Sequence, residues 1–158
     1  MKIVVMSQNR IEEYARTSNS ETSILISITS HCGRQADVHM NENNKILNTL
    51  FLRFDDTDRK EMDLGITHID ARKIIEFIKK NLGNGNVDKI IVNCEAGQSR
   101  SAGVAAALMK YLNNDDTPIF DNPRYTPNML CYRTVLDMVY YMEYRENRKR
   151  MREGFGDA

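Results

Sequence analysis

Residues 88–112 read DKIIVNCEAGQSRSAGVAAALMKYL, and this stretch decides the fold. Lys89 to Asn93 is a short apolar run containing Ile90, Ile91 and Val92, the composition of a strand buried on both faces. Further on, Val104, Ala107, Leu108, Tyr111 and Leu112 recur at three- and four-residue spacings among alanines, which specifies a helix. Between strand and helix lies a glycine-containing turn with Cys94 at one end and Arg100 and Ser101 at the other. A chain that passes from a strand through such a turn into a helix points successive backbone N–H groups into one concavity. Backed by the positive end of the helix, that concavity binds phosphate-like anions. It also favours the thiolate form of a cysteine at its edge. Arg100 supplies a planar fork able to grip two oxygens of a phosphoryl group, which a lysine would not do.

The segment Cys94-Glu95-Ala96-Gly97-Gln98-Ser99-Arg100-Ser101 resembles the C-x5-R-[ST] phosphate-binding loop of cysteine-based protein tyrosine phosphatases, in their compact dual-specificity-like branch. Phe54-Asp55-Asp56-Thr57 resembles the general-acid loop of that branch, and Pro127-Asn128 resembles the Pro-Asn pair that opens a late helix. The resemblance covers roughly residues 45–142; the first forty match only in outline. It departs at one position. The family usually has histidine immediately before the nucleophile, whereas this chain has Asn93, which donates hydrogen bonds but carries no positive charge. That bears on rate more than on mechanism.

The resemblance implies a set of roles. Cys94 is the nucleophile, and Arg100 with the backbone N–H groups of Glu95, Ala96, Gly97, Gln98, Ser99 and Arg100 holds the phosphoryl oxygens. Ser101 hydrogen-bonds the sulfur. Expelling a tyrosine oxygen, whose conjugate acid has a pKa of about 10, needs a positioned proton donor. Asp56 is the first choice, because Asp56-Thr57 best matches the branch, with Asp55 second and Asp58 third. Asn93 and Asn128 are candidate braces of the loop, Asn128 being equally readable as a first-turn helix residue. The implied activity is hydrolysis of phosphomonoesters, phosphotyrosine first, through a phosphocysteine intermediate and without metal or other cofactor. Three alternatives share the loop: a phosphotyrosine-binding module of weak activity, an arsenate reductase, and another small phosphomonoesterase. Arsenate reduction would need Cys32 or Cys131 close to Cys94, and Glu95 and Gln98 disfavour a multiply phosphorylated inositol.

The rest of the chain bounds these readings. A length of 158 residues suits a single domain, 1–158, with the catalytic core at about 45–142 and a basic helical tail at 143–158. With 22 basic and 22 acidic residues, net charge does not point to a nucleic acid or a membrane as partner. No apolar run approaches the ~20 residues of a membrane span, and Met1 to Met6 does not read as a signal peptide. Three cysteines at unrelated spacings fit a reducing compartment, so a cytoplasmic location is expected; the resemblance implies a phosphotyrosine-containing protein or peptide as partner, and a monomer is expected.

In order, residues 2–6 read as a strand, with Ser7 capping a helix from Gln8 to about Thr17. Ile24 to Thr29 reads as a second strand, and Ser30 to Lys45 has no usable period. By the resemblance, that loop lies near the rim of the active site. Its His31, Cys32 and His39 lack the spacing of a metal site. Ile46 to Phe54 reads as a third strand with Leu47, Leu50, Phe51, Leu52 and Phe54 on its apolar side. Thr67-His68-Ile69-Asp70 opens a capped helix whose stripe is Ala71, Ile74, Ile75, Ile78 and Leu82, ended by Gly83. His68 reads as a surface residue of its first turn. Strand, helix, strand in this order implies a parallel pair with a right-handed crossover. Asn113 to Thr126 reads as a loop, Thr126-Pro127 as the start of a last helix, and Cys131, Val135, Met138, Val139 and Met142 as its buried stripe. Between Arg145 and Arg152 lie five basic residues with no aromatics among them, a solvated helix end. The expected fold is therefore α/β: a central, mostly parallel four-stranded sheet flanked by helices on both faces.

Overall fold

The computed structural model describes residues 1–39 and 42–155. Met40 and Asn41, within the Ser30 to Lys45 loop, and residues 156–158 of the tail lie outside the described residues. The elements are β1 (Lys2–Ser7), α1 (Gln8–Arg16), β2 (Ser23–Thr29), β3 (Ile46–Arg53), α2 (His68–Leu82), β4 (Lys89–Cys94), α3 (Arg100–Asn113), α4 (Thr117–Phe120) and α5 (Met129–Gly154).

The four strands form one sheet in the order β1-β4-β2-β3, with every pairing parallel. β2 and β4 occupy the centre and are buried at every position. Ile24, Leu25, Ile26 and Ile28 of β2 and Ile90, Ile91 and Val92 of β4 supply the apolar side chains that a strand covered on two faces requires. Alternation sorts these residues between two cores. Ile24, Ile26, Ile28, Ile90 and Val92 pack with α2, α3 and α5, whereas Leu25 and Ile91 pack with Ile11 and Ala15 of α1.

Four expectations need correction. β3 and β4 do not pair with each other, because β2 lies between them. β3 is an edge strand and is apolar on one face only: Leu52 is buried, but Leu47 and Phe51 are 47 % and 40 % exposed. The last helix is capped by Asn128, not Thr126, since the Asn128 side chain accepts a hydrogen bond from the Cys131 N–H. Proline at 127 thus sits just outside the helix, and asparagine takes the cap position that favours it. The 113–126 segment also contains the short α4, with Pro118 in its first turn.

Other local signals match their elements. Ser7 caps α1, and Thr67 and Asp70 form the reciprocal capping box of α2. The stripe of α5 is buried through Val139 and half-buried at Met142. Gly103 permits α3 and α5 to meet closely, because a Cβ there would lie 2.3 Å from the Asn128 carbonyl oxygen. Among the described residues, no helix is long and apolar enough to cross a membrane.

Candidate active site

In a fully parallel sheet the strands end on the same side, and clefts form beyond those carboxyl ends. Here the ends of β4, β2 and β3 deliver Cys94, Ser30 and Phe54 to one region, and the loop 94–100 connects β4 to α3. Cys94 is 2 % exposed, at the floor of the loop, and its Sγ lies 3.0 Å from Ser101 Oγ.

The loop is shaped by its neighbours. Gly97 has φ +67°, and a Cβ on it would fall 2.6 Å from the Ser7 nitrogen, so only glycine lets the loop lie against the β1–α1 junction. Three of its carbonyls are held by neighbouring segments: Glu95 O accepts from Gln8 N, Gln98 O from Thr126 N, and Ser99 O from Asn128 N, at 3.0–3.1 Å. Across a trans peptide, C=O and the following N–H point in opposite directions. Holding these carbonyls outward therefore turns the N–H groups of Ala96, Ser99 and Arg100 toward the concave side.

Arg100 is 4 % exposed and held from behind. Its Nη1 donates to Ser30 Oγ at 2.8 Å and to the Phe54 carbonyl at 2.9 Å, while Nε, also buried, has no hydrogen-bond partner among the described residues. A guanidinium fixed through one nitrogen with a buried donor to spare is built to receive an anion, since a desolvated unpaired N–H is costly otherwise. Asn93 is also buried, and its Oδ1 has no partner either.

The three acid candidates fall in different settings. Asp56 Oδ1 accepts from Ser99 Oγ and from Asn128 Nδ2, both at 2.8 Å, so this carboxyl is tied directly to the 94–100 loop. Asn128 Nδ2 also donates to the Thr57 carbonyl. Asn128 thus joins three segments: it caps α5, its N–H holds Ser99, and its amide holds the acid loop. Asn128 therefore stands at the cap of α5, one position before its first turn, with its amide on the Asp56–Thr57 segment. Asp55 Oδ1 instead faces His31, accepting from its backbone N–H at 2.9 Å and lying 3.2 Å from its Nδ1. These contacts hold the Asp55 carboxyl below its ordinary range, which suits an ionised anchor rather than a proton donor. Asp58 is exposed and has no contact with the loop among those described.

Several contributors were not legible in the sequence. Ser30 sits in a stretch with no period, and its contact to Arg100 spans 70 positions. The Phe54 carbonyl and the Ser99-to-Asp56 bond have no sequence signature; the Asn128 cap had one, an asparagine at a helix start. Burial pushes the Cys131 thiol well above its ordinary range, in keeping with a core thiol. Cys32 is exposed. His39 stands against Asp37, and among the described residues no group of three or more His, Cys, Asp or Glu is placed to hold a metal ion.

Comparison with known proteins bears on the fold. The family model described as Rit1 DUSP-like domain (Init_tRNA_PT) matches residues 68–138, under half of the chain. A crystal structure of a human DUSP28 variant superposes with a TM-score of 0.61 at 12 % identity, over 90 % of this chain and 92 % of that one. The Cydia pomonella PTP-2 phosphatase gives 0.56 at 14 %, over 87 % and 85 %. The human tyrosine phosphatase-like serine/threonine/tyrosine-interacting protein gives 0.51 at 19 %, over 78 % of each. No curated protein sequence matches significantly.

Proposed function

From a chain that carries the fold of the compact dual-specificity-like cysteine phosphatases, we propose a protein tyrosine phosphatase that hydrolyses phosphomonoesters through a phosphocysteine intermediate. The observation that carries this reading is the meeting of three groups at one loop. Cys94 lies at its floor beside Ser101, Arg100 is pinned with Nε unpartnered, and Asp56 is tied to its rim through Ser99 and Asn128.

In the first step Cys94 Sγ attacks phosphorus, the S–P bond forms, and the bond from phosphorus to the phenolic oxygen breaks. Asp56 delivers its proton to that oxygen. Arg100 and the inward N–H groups take the charge on the equatorial oxygens. In the second step water attacks phosphorus, Asp56 accepts its proton, and the S–P bond breaks. Ser101 Oγ–H then hydrogen-bonds the departing thiolate. The proposed substrate is a phosphotyrosine-containing protein or peptide, and the proposed setting is the cytoplasm, where the three cysteines stay reduced.

Steady-state hydrolysis of p-nitrophenyl phosphate and of a phosphotyrosine peptide, with EDTA present, tests this. Turnover by the wild type, abolished in Cys94→Ser and undiminished by EDTA, supports the mechanism. Tight peptide binding without turnover would instead identify a phosphotyrosine-binding module.

A further inference from the structure

Helix α5 outlasts the core it packs on. Its buried positions end at Val139, yet it continues to Gly154, and Tyr140, Tyr141, Tyr144 and Met151 are 46–65 % exposed. On this projecting part, Arg145, Arg148 and Arg152 follow at helical spacing, on one face. Their carboxylate neighbours are otherwise committed: Glu146 pairs with Lys79 of α2, and Glu153 with Lys149. Among the described residues, none of the three arginines has an ion-pair partner. Arg145 and Arg148 instead lie over the rings of Tyr141 and Tyr144, at 5.9 and 5.8 Å. Arg148 Nη1 also donates to Tyr144 Oη at 3.3 Å, so the tyrosines order guanidiniums that have no carboxylate partner among the described residues.

This face is continuous with the candidate active site. Beside Asp56, Ser99 and Asn128 lies a depression of about 340 Å³ that shares Met62 with the next one along α5. That second depression, about 480 Å³, sets Met62, Ile66, Leu130 and Met138 among polar side chains that include Lys60, His68 and Asp137, and it shares Tyr141 with a third. The third, about 530 Å³, runs past Arg145 and Arg148 to Arg152. A track thus leads from the acid loop, across a partly apolar hollow, to a row of guanidiniums without ion-pair partners among the described residues.

We infer that this track docks an extended acidic segment of the polypeptide substrate, distal to its phosphotyrosine, with an aliphatic side chain in the hollow. Charge complementarity selects an acidic occupant. The apolar side chains of the hollow select a polypeptide, since a nucleic acid has no side chain to bury there. Arg145 and Arg152 lie about 25 and 36 Å along α5 from Asn128 at ~1.5 Å per residue. An extended chain at ~3.3 Å per residue spans these distances in about eight and eleven residues. The acidic residues of the substrate belong at that remove from the phosphotyrosine. The inference rests on the phosphatase reading for its substrate, though not for its surface.

The test compares a five-residue phosphotyrosine peptide with fourteen-residue peptides that carry glutamates eight to eleven positions from the phosphotyrosine, on either side. The expected result is a KM roughly tenfold lower for one long peptide, the yield of three modest exposed ion pairs together. Charge reversal (Arg145→Glu, Arg148→Glu, Arg152→Glu) removes that advantage, as does raised salt, while kcat and p-nitrophenyl phosphate turnover stay unchanged. Fluorescence anisotropy of the same labelled peptides on the Cys94→Ser chain reads docking without turnover, so a failed phosphatase reading is told apart from a failed docking surface. Equal affinity for long and short peptides overturns the inference. So does charge-reversal-sensitive binding of a labelled single-stranded oligonucleotide in place of the peptide, or loss of a dimer on charge reversal.

Discussion

At the scale of single residues, the site separates two adjacent aspartates by what each touches. Asp56 faces Ser99 and Asn128, whereas Asp55 faces His31. Asp56→Asn is expected to lower kcat on a phosphotyrosine peptide by about 10²-fold, the lower range for a lost general acid. It should cost less on p-nitrophenyl phosphate, whose leaving group needs less help. Asp55→Asn is expected to leave the dependence on leaving group intact, because its contacts to His31 hold its carboxyl below the ordinary range and away from the loop. Initial rates over a series of aryl phosphates distinguish the two. Gly97→Ala is a different kind of test. The positive φ and the 2.6 Å approach to the Ser7 nitrogen mean that the loop must deform. Activity is expected to fall at least about 10²-fold, as for a loss of transition-state donors, while far-ultraviolet circular dichroism stays native.

At the scale of elements, the segment after β2 is strapped onto α1 by one carboxylate. Glu12 Oε1 accepts from Arg34 Nη1 at 2.7 Å and from the Asp37 N–H at 2.9 Å, and the Arg34 bond chiefly lowers its pKa. A carboxyl lowered in the folded state stabilises above its unfolded pKa of about 4.3 and loses that contribution as pH falls through the lower folded value. Amide exchange in residues 34–39, measured by mass spectrometry and corrected for intrinsic rates, is therefore expected to quicken as the pH drops below about 4.3. Glu12→Gln should show the faster exchange already at neutral pH and no such acid step. Unchanged exchange in the variant would sink the strap. The same segment supplies Ser30 to Arg100, so this element bears on the site as well as on the fold.

At the scale of the whole molecule, α3 and α5 meet where the 94–100 loop and Asn128 meet. Gly103 makes this possible, since a Cβ would stand 2.3 Å from the Asn128 carbonyl and 3.0 Å from Cys131 Cβ. Gly103→Ala is expected to cost about 1–3 kcal/mol, the usual penalty for overpacking. That corresponds to a Tm drop of several degrees for a domain of this size, read by calorimetry. The shift of α5 should also loosen the Asn128-to-Asp56 contact, so kcat is expected to fall together with Tm.

The sequence by itself determined the class of fold and the strand–turn–helix setting of the Cys94–Arg100 loop. Both are encoded within short windows: β-branched runs at β2 and β4, the helical stripes of α2 and α5, and seven residues from Cys94 to Arg100 that connect a strand to a helix. Periodicity and backbone geometry act over such distances. Edge position did not follow from them, and so Leu47 and Phe51 were assigned to a face that β3 leaves open. Nor did strand order, because an intervening strand leaves no trace in the residues that it separates. The tertiary structure alone decided that Ser30 anchors Arg100, that Asn128 binds Asp56 across 72 positions, and that Asp55 turns to His31. These are hydrogen bonds between segments brought together only when both cores close on the sheet, and a polar side chain in a loop carries no mark of the partner it will meet.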